Sequence, residues 1–325
     1  MSSRRNSKLV LFCCLQGYKY GKALARVQAS ERLSNWICAM PQKKILGAVG
    51  WLCAALVFAS ACTKSPFNDD VAPQPINISG QVDLHRSDRD NSNVYVWLEG
   101  INISTLTDRD GRFLLELPRE RVSGATGVYQ VYFFVANYTV ATKSIFLQNG
   151  EIQYGQGSLD ASGQFNETID LFKKLDVFTL VHPDSASSIL APPVDVLVSL
   201  HAVTDTVTVI FPKSVGGLLG GLFFLHKASN QVFVDIPDQG ADTRETVFVT
   251  SEASTSRRGV FQFNTATVRD LFLPVGEYEV IPYFFIENIQ LPDQLLQSLG
   301  EHILEPHPDF LNIPVKREGG GFFVF

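Results

Sequence analysis

The fold is decided by residues 104–117, whose sequence is Ser-Thr-Leu-Thr-Asp-Arg-Asp-Gly-Arg-Phe-Leu-Leu-Glu-Leu. Apolar residues occupy every second position after the central Asp-Arg-Asp-Gly segment, which is typical of a strand with one buried face. Asp side chains accept backbone N–H bonds within turns, and glycine adopts a positive φ without steric cost. We therefore predict a β-hairpin whose turn is formed by residues 108–111, with Gly111 at positive φ.

The segments on either side of this turn also follow strand patterns. Residues 78–84 and 94–99 are two further predicted strands, and residues 129–135 are apolar on both faces, as in a central strand that is covered on both sides. Gly, Asn, Asp and Pro interrupt the pattern every ~8–12 residues, a spacing typical of β-sandwiches. The sequence therefore predicts a sandwich that begins near Ile76.

This order of strands and turns resembles the carboxypeptidase regulatory-like domain over residues 76–175. The resemblance is carried by Ile78-x-Gly80-x-Val82, Val94-x-Val96-x-Leu98, Thr107-Asp108-x-Asp110-Gly111-x-Phe113-x-Leu115-x-Leu117-Pro118, Tyr129-x-Val131-x-Phe133 and Tyr138. It implies a transthyretin-like fold for the first domain. It also implies an accessory role, because the family is named after a domain that stands beside a peptidase and contributes no catalytic residues.

The remaining sequence predicts a second β-sandwich. We place the first sandwich at residues 76–181, a linker at residues 182–193 and the second sandwich at residues 194–290. Short apolar segments in the second region have the lengths and spacing of immunoglobulin or fibronectin strands. The C-terminal segment, residues 291–325, is predicted to contain one short amphipathic helix and a small docking strand. The predicted fold class is all-β, with two tandem β-sandwiches.

A lipoprotein signal peptide precedes the sandwiches. Residues 45–61 form an uncharged, largely apolar run that follows two lysines and ends in Ala-Ser-Ala before Cys62. This order is typical of a secretory signal, and the last four residues resemble the lipobox of bacterial lipoproteins, with Ala59 in place of its preferred Leu. We expect lipidation at Cys62. The alternatives are ordinary signal cleavage without a lipid and an uncleaved anchor helix, although 17 residues are slightly fewer than the ~20 that span a bilayer.

Met40 is the expected start of translation, because secretory signals lie at the N-terminus of the chain. Residues 1–39 then represent a mis-called N-terminal extension, with a genuine cytoplasmic tail as the alternative. Residues 40–61 form the signal peptide, and residues 62–75 form a flexible tether that contains proline. Thr63, rather than Asp, follows the cysteine, which predicts sorting to the outer membrane of a bacterial cell envelope.

The charge distribution argues against nucleic-acid binding. Residues 62–325 hold 18 Lys/Arg and 32 Asp/Glu, a formal charge of −14, whereas the first 61 residues are basic. An acidic globular part repels phosphate. All five cysteines lie within the first 62 residues, which excludes a disulfide scaffold or a cysteine zinc site in the remainder.

Tyr95 and Trp97 are candidate contacts for a ligand or partner. They lie on the face of the second predicted strand that is opposite to Val94, Val96 and Leu98. If that face is exposed, two rings spaced ~6.5–7 Å apart along the strand could stack on sugars or anchor another protein. If the second domain or the other sheet covers it, both rings belong to a core.

The metal-binding signals are weak. Asp108 and Asp110 are candidate calcium ligands, but the segment lacks the bidentate Glu and the spaced carbonyl donors of an EF-hand loop, so a solvated turn is the simpler interpretation. His302 and His307 have a spacing that does not place both imidazoles on one helix face, and Pro306 interrupts the helix. We predict no metal site and no cofactor.

The sequence contains no Gly-x-Ser-x-Gly, His-Glu-x-x-His or phosphate-loop motif. Together with the accessory character of the first domain, this predicts a lipid-anchored cell-envelope protein that binds or scaffolds and has no catalytic activity. Its expected partners are the membrane, through Cys62, and an envelope protein or polysaccharide. Two alternatives stay open: a carbohydrate-binding accessory protein that presents Tyr95 and Trp97, and a hydrolase whose site lies in the second domain.

Overall fold

The computed structural model describes residues 76–85, 90–154, 157–190, 192–236, 243–264, 271–288 and 290–325. The predicted N-terminal extension, signal peptide and tether, including Cys62, lie outside the described residues. The described residues all belong to one compact unit. Within the described ranges, no helix is both long enough and apolar enough to cross a membrane.

The first sandwich contains β1 (Ile76–His85), β2 (Tyr95–Leu98), β3 (Ile103–Leu106), β4 (Arg112–Leu117), α1 (Arg119–Val122), β5 (Gly127–Phe134), β6 (Ala141–Gln148), β7 (Glu151–Ile152) and β8 (Ile169–Phe172). These strands form a three-stranded sheet, β4-β1-β8, and a five-stranded sheet, β3-β2-β5-β6-β7. β1 pairs antiparallel with β4 along its first half and parallel with β8 along its second half. Alternate residues of both sheets, among them Val96, Leu115 and Phe133, form the first core.

Residues 108–111 form the predicted tight turn, but they do not close a hairpin. β3 pairs with β2, whereas β4 pairs with β1 in the other sheet, so the turn carries the chain from one sheet to the other. The φ of Gly111 is 79°, which confirms its predicted conformation. A Cβ atom at Gly111 would lie 2.0 Å from the carbonyl oxygen of Val82 in β1. The alternating pattern therefore identifies the strand and the turn, but it does not specify which strand is the partner.

The second sandwich contains β9 (Leu175–His182), β10 (Ser185–Ala186), β11 (Val194–Ala202), β12 (Val207–Pro212), β13 (Leu222–His226), β14 (Gln231–Asp235), β15 (Arg244–Val249), β16 (Thr255–Phe261), β17 (Gly276–Pro282) and β18 (Phe285–Ile286). It is completed by β19 (Glu318–Gly319) and β20 (Gly321–Val324). The sheet orders are β16-β11-β9-β19, β10-β20-β17-β13-β14 and β15-β12-β18. Buried apolar residues from all three sheets form the second core. The predicted all-β fold with tandem β-sandwiches is confirmed.

The second sandwich extends beyond the predicted range of residues 194–290. β9, which the sequence pattern placed at the end of the first sandwich, pairs antiparallel with β11 along its whole length. Its inward residues Leu175, Val177 and Val181 belong to the second core. The predicted linker, residues 182–193, contains β10, which pairs with β20. The boundary therefore falls between β8 and β9, because the partner of β9 lies downstream in the chain.

The C-terminal segment packs against both sandwiches. It contains helix α2 (Asp293–Leu299) and a 3-10 helix (Pro308–Asn312) before β19 and β20, so the predicted short helix and docking strand are confirmed. Leu295, Leu299 and Phe310 of this segment are buried in a third core. We call it the junction core, because its other members include Tyr95, Trp97, Phe134 and Ala136 from the first sandwich and Phe223, Ile281 and Tyr283 from the second.

Candidate functional site

The predicted contact residues Tyr95 and Trp97 lie in the junction core and not on the surface. Tyr95 is 7% exposed and Trp97 is 1% exposed. The Tyr95 hydroxyl lies 2.9 Å from the Ser298 hydroxyl of α2, and the Trp97 indole N–H donates to the Asn102 side-chain oxygen at 2.8 Å. The polar group of each ring is thus satisfied inside the protein. Of the two interpretations that the sequence leaves open, the external contact is wrong and the core position is confirmed, because residues of the C-terminal segment and of the second sandwich share this core.

Asp108 and Asp110 belong to the turn between the two sheets. The Asp108 carboxylate oxygen Oδ1 accepts hydrogen bonds from the backbone N–H groups of Asp110 and Arg112, at 3.0 and 2.8 Å. The backbone carbonyl of Asp110 accepts a hydrogen bond from the Gln81 side chain at 3.1 Å. A carboxylate oxygen that is held by two N–H donors stabilises the turn. The geometry therefore favours the solvated turn over the calcium interpretation.

Three titratable side chains meet where β1 and β8 end, at a place for which the sequence holds no local signal. His85 Nε2 lies 3.1 Å from an Asp170 carboxylate oxygen and 3.9 Å from one of Asp83. The His85 ring stacks on Phe172 with the ring centroids 4.5 Å apart. Histidine and carboxylate are ligands for divalent metals, but these side chains are 40–52% exposed. The same contacts describe a surface ion pair, which stabilises a fold only slightly.

His302 and His307 are neighbours despite their unfavourable spacing in the sequence. Their ring centroids lie 4.8 Å apart. His302 Nδ1 lies 3.1 Å from Glu305, whereas His307 Nδ1 lies 3.3 Å from Asp309. Because each Nδ1 has a different carboxylate beside it, the pair forms two surface contacts and not one shared metal site.

The outward face of the sheet β16-β11-β9-β19 carries four large apolar side chains. Phe178, Leu180, Leu197 and Val260 are each 39–49% exposed. Leu180 lies opposite Leu197 across β9 and β11, and Val260 lies opposite Asp195 across β11 and β16. The four side chains therefore share one face of three neighbouring strands, and we call it the open sheet face. The ion pair between Asp195 and Arg258 lies between Leu197 and Val260, because Arg258 is opposite Leu197 and Asp195 is opposite Val260.

A cavity of about 440 Å³ lies where the two sandwiches meet the C-terminal segment. Its apolar lining includes Tyr283, Phe285 and Phe310, whose ring centroids lie 5.1–5.5 Å apart. The volume falls within the ~300–1,000 Å³ of typical small-molecule sites, which are frequent at domain interfaces. We call it the junction cavity. Its charged lining residues are Lys213, Arg244, Glu287, Glu305 and Arg317.

Arg317 brings a poorly solvated positive charge to the junction cavity. Burial lowers the pKa of its guanidinium below the usual value, and the negative charge of Glu279 opposes this shift. Arginine nevertheless stays protonated at neutral pH. The side-chain nitrogen of Asn288, which also lines the cavity, is buried and has no hydrogen-bond partner among the described residues.

Comparison with known proteins does not identify a family. No protein-family model matches the chain, and no curated protein matches it. Among solved structures, the chain is similar to the crystal structure of BcpA, the major pilin subunit of Bacillus cereus, with 7% sequence identity and a TM-score of 0.25. The match covers 64% of this chain and 88% of that chain. A likeness this weak carries no argument about function, so the resemblance to the carboxypeptidase regulatory-like domain stays a prediction.

Proposed function

We propose that this protein is a lipid-anchored component of the bacterial cell envelope that binds or scaffolds another envelope protein and has no catalytic activity of its own. The observation that carries the proposal is the open sheet face. Phe178, Leu180 and Leu197 are neighbours on two adjacent strands, and Val260 lies on the third strand beyond the Asp195–Arg258 ion pair. Exposed apolar patches with a polar rim mark protein-interaction sites.

The open sheet face has a rigid support. β11 pairs with β9 on one side and with β16 on the other, over nearly the full length of each strand. The opposite face of these strands places Val177, Val196 and Phe261 in the second core, where they are at most 3% exposed. The exposed side chains are therefore held at a fixed spacing before any partner arrives, which lowers the entropy lost on association.

The N-terminal sequence supports a membrane location for this surface. A lipidated Cys62 followed by the tether at residues 62–75 would keep the sandwiches close to the membrane, where a high effective concentration strengthens modest contacts. Sorting to the outer membrane, indicated by Thr63, belongs to the same proposal. The resemblance of residues 76–175 to an accessory family also favours recognition over catalysis.

The burial of Tyr95 and Trp97 weakens the carbohydrate-binding alternative. That alternative depends on two exposed rings for sugar stacking, and both rings are buried in the junction core. The open sheet face offers aliphatic side chains and one phenylalanine, which suit a protein partner better than a sugar.

The binding proposal is tested by site-specific photo-crosslinking of the full chain in its native cells. A photoreactive residue replaces Leu180 in the open sheet face or, as the matched control, Phe248 in β15, which is 68% exposed on another sheet. We expect one envelope protein to crosslink from position 180 and not from position 248. We also expect Leu197→Ser to abolish that product. Identical products from both positions, or a product that Leu197→Ser leaves unchanged, would overturn the proposal.

The anchor and the lack of catalysis need separate measurements. The intact mass of the protein purified from its native membrane should correspond to a chain that begins at a lipidated Cys62, and the Cys62→Ala variant should no longer partition into detergent.

The absence of catalysis is tested with a panel of peptide, ester and glycoside substrates, on which the protein should show no turnover. Turnover that disappears when a single His, Asp or Glu of the second sandwich is replaced would establish the hydrolase alternative instead.

A further inference from the structure

We propose that Asp83, His85 and Asp170 together bind one zinc ion where β1 and β8 end. The three residues lie in the first sandwich, so the proposal depends neither on the open sheet face nor on the lipid anchor. It rests on the strand register that places the three side chains, on the distances between their ligand atoms, on the residues that orient them and on their charges.

The strand pairing brings the three side chains to one face. β1 and β8 run parallel, with Asp83 opposite Asp170 and His85 opposite Phe172. Alternate residues of a strand point to the same side, so these four side chains share the outward face of the two strands. Leu84, between Asp83 and His85, points the other way and is 2% exposed in the first core. The core therefore fixes the backbone that carries the three residues.

The distances between the ligand atoms suit a single metal ion. His85 Nε2 lies 3.1 Å from an Asp170 carboxylate oxygen and 3.9 Å from one of Asp83, and one ligand atom from each residue lies within 4.8 Å of the other two. A tetrahedral zinc ion with bonds of about 2.0–2.2 Å holds its ligands about 3.4 Å apart. Rotation of the carboxylate groups therefore closes the site. The side chains are 40–52% exposed, so water can take the fourth position.

Two neighbouring side chains orient the ligands. The His85 ring is stacked on the Phe172 ring, with the centroids 4.5 Å apart and the planes inclined by 5°, and this contact holds the imidazole plane. The Asn91 side chain accepts a hydrogen bond from the Leu84 backbone N–H at 2.9 Å and donates one to Asp83 Oδ1 at 3.4 Å. Asp83 Oδ2 is the oxygen that faces His85. Contacts behind the ligands are typical of metal sites, because they fix the orientation of each ligand.

The charges of the three residues favour a divalent cation. Asp83 and Asp170 are directly opposite each other, and like charges in such a position repel. Among the described residues, His85 is the only basic side chain within 4.0 Å of either carboxylate. Even a protonated imidazole supplies one positive charge against two negative charges. A divalent ion neutralises both carboxylates and uses the neutral imidazole as its third ligand.

The donor atoms select the kind of cation. Calcium and magnesium are bound by oxygen ligands, whereas zinc accepts imidazole nitrogen and carboxylate oxygen in the same site. One nitrogen and two oxygens therefore suit zinc better than either of the other two ions.

Binding is measured by isothermal titration calorimetry of zinc chloride into the full chain held in lipid nanodiscs, with empty nanodiscs as the blank. The cysteine thiols are alkylated first, because thiolates are strong zinc ligands. All five cysteines lie at or before position 62, so alkylation leaves the described residues unmodified. We expect saturable binding of one zinc ion per chain. Calcium should bind at least about tenfold more weakly, because it gains little from the imidazole.

The variants assign the zinc ion to the three residues. His85→Ala and Asp170→Asn should each weaken zinc binding at least about tenfold, because each removes a ligand. His302→Ala is the matched control, since His302 Nδ1 also lies 3.1 Å from a carboxylate oxygen, that of Glu305, and its side chain is 44% exposed. This variant should bind zinc like the wild type. Circular dichroism checks that each variant is folded.

Four results would overturn the proposal. These are the absence of saturable zinc binding to the wild type, unchanged zinc binding by a folded His85→Ala or Asp170→Asn variant, calcium binding as tight as zinc binding, and loss of the zinc ion in His302→Ala, which would place it in the C-terminal segment. Should His85→Ala fail to fold, Asp170→Asn keeps the shape of the side chain and still decides the question.

Discussion

The first core and the junction core both consist of buried side chains, but the sequence encodes them differently. In β2, Val96 faces the first core and its neighbour Trp97 faces the junction core, with exposures of 0% and 1%. Val96 is covered by residues of the same sandwich. The face that carries Tyr95 and Trp97 is covered in part by α2, whose Ser298 hydroxyl lies beside the Tyr95 hydroxyl although the two residues are 203 positions apart in the chain. Alternation therefore separates the two faces of a strand, but it does not reveal that both are buried.

The largest expected change in the free energy of unfolding comes from a substitution that tests whether the junction core is packed as well as the first core. Trp97→Ala should lower the free energy of unfolding by about 3–5 kcal/mol, because it removes a large side chain that is fully buried. Phe133→Ala is the matched change, since Phe133 lies on the neighbouring strand β5, is 0% exposed and faces the first core. We expect a similar loss for both variants in urea titrations followed by circular dichroism.

Unequal decreases in the free energy of unfolding of the two variants would show that the two cores are not packed equally well. If Trp97→Ala lowered the free energy of unfolding by less than about 1 kcal/mol while Phe133→Ala showed the full loss, the junction core would be loosely packed.

The same titrations show whether the sandwiches unfold as one unit. Coincident transitions by circular dichroism and by fluorescence would indicate that both sandwiches and the C-terminal segment unfold together. Two separate transitions in Trp97→Ala would show that the junction core couples the sandwiches.

A smaller effect concerns the turn that connects the two sheets of the first sandwich. Gly111 and Gly124 have nearly the same φ, 79° and 76°, but a Cβ atom would meet the Val82 carbonyl only at Gly111, whereas Gly124 faces open space. Gly111→Ala should therefore lower the free energy of unfolding by about 2–3 kcal/mol, and Gly124→Ala by about 1 kcal/mol from backbone strain alone. Equal losses in urea titrations would show that the contact with β1 is unimportant.

Local patterns predict the parts of this fold that local chemistry determines. The alternation from Phe113 to Leu117 and the glycine of the turn correctly identify β4 and the conformation of Gly111. The partner of β4 was not predictable in this way, because a turn with the same residues can close a hairpin or connect two sheets. The same reason explains β9, whose alternating pattern fits either sandwich until its pairing with β11 is known.

The candidate sites depend even more on contacts between distant residues. Tyr95 and Trp97 are residue types that are frequent at recognition surfaces. They are buried here because they share a core with residues of the second sandwich and of the C-terminal segment, which are distant in the chain. The junction cavity combines residues from both sandwiches and from the C-terminal segment, such as Phe134, Asn288 and Arg317. No window of sequence contains these residues together, so neither their chemistry nor their proximity could be predicted from spacing.

The smallest expected effect concerns a polar contact between the first sandwich and the C-terminal segment. The Asp90 carboxylate accepts a hydrogen bond from Lys316 Nζ at 3.1 Å. Hydrogen bonding with Ser92, together with Lys316, lowers the pKa of Asp90 from 3.8 to about 2, although burial opposes the shift. Because the folded pKa lies below the unfolded one, the ionised group stabilises the protein above about pH 4. This contribution disappears as the pH falls through about 2.

Asp90→Asn tests how much this polar contact adds to the apolar junction core. The Asp90 side chain is 50% exposed, so solvent screens the ion pair and the loss at pH 7 should not exceed about 1 kcal/mol. The difference from the wild type, followed by urea titrations between pH 7 and pH 2, should be largely lost at the acidic end, because the pKa of the folded wild-type carboxyl is about 2 and much of it is then protonated. Asp110→Asn removes an exposed carboxylate from the turn and is the control. A loss that persists unchanged at pH 2 would show that the contact acts through shape and not through charge.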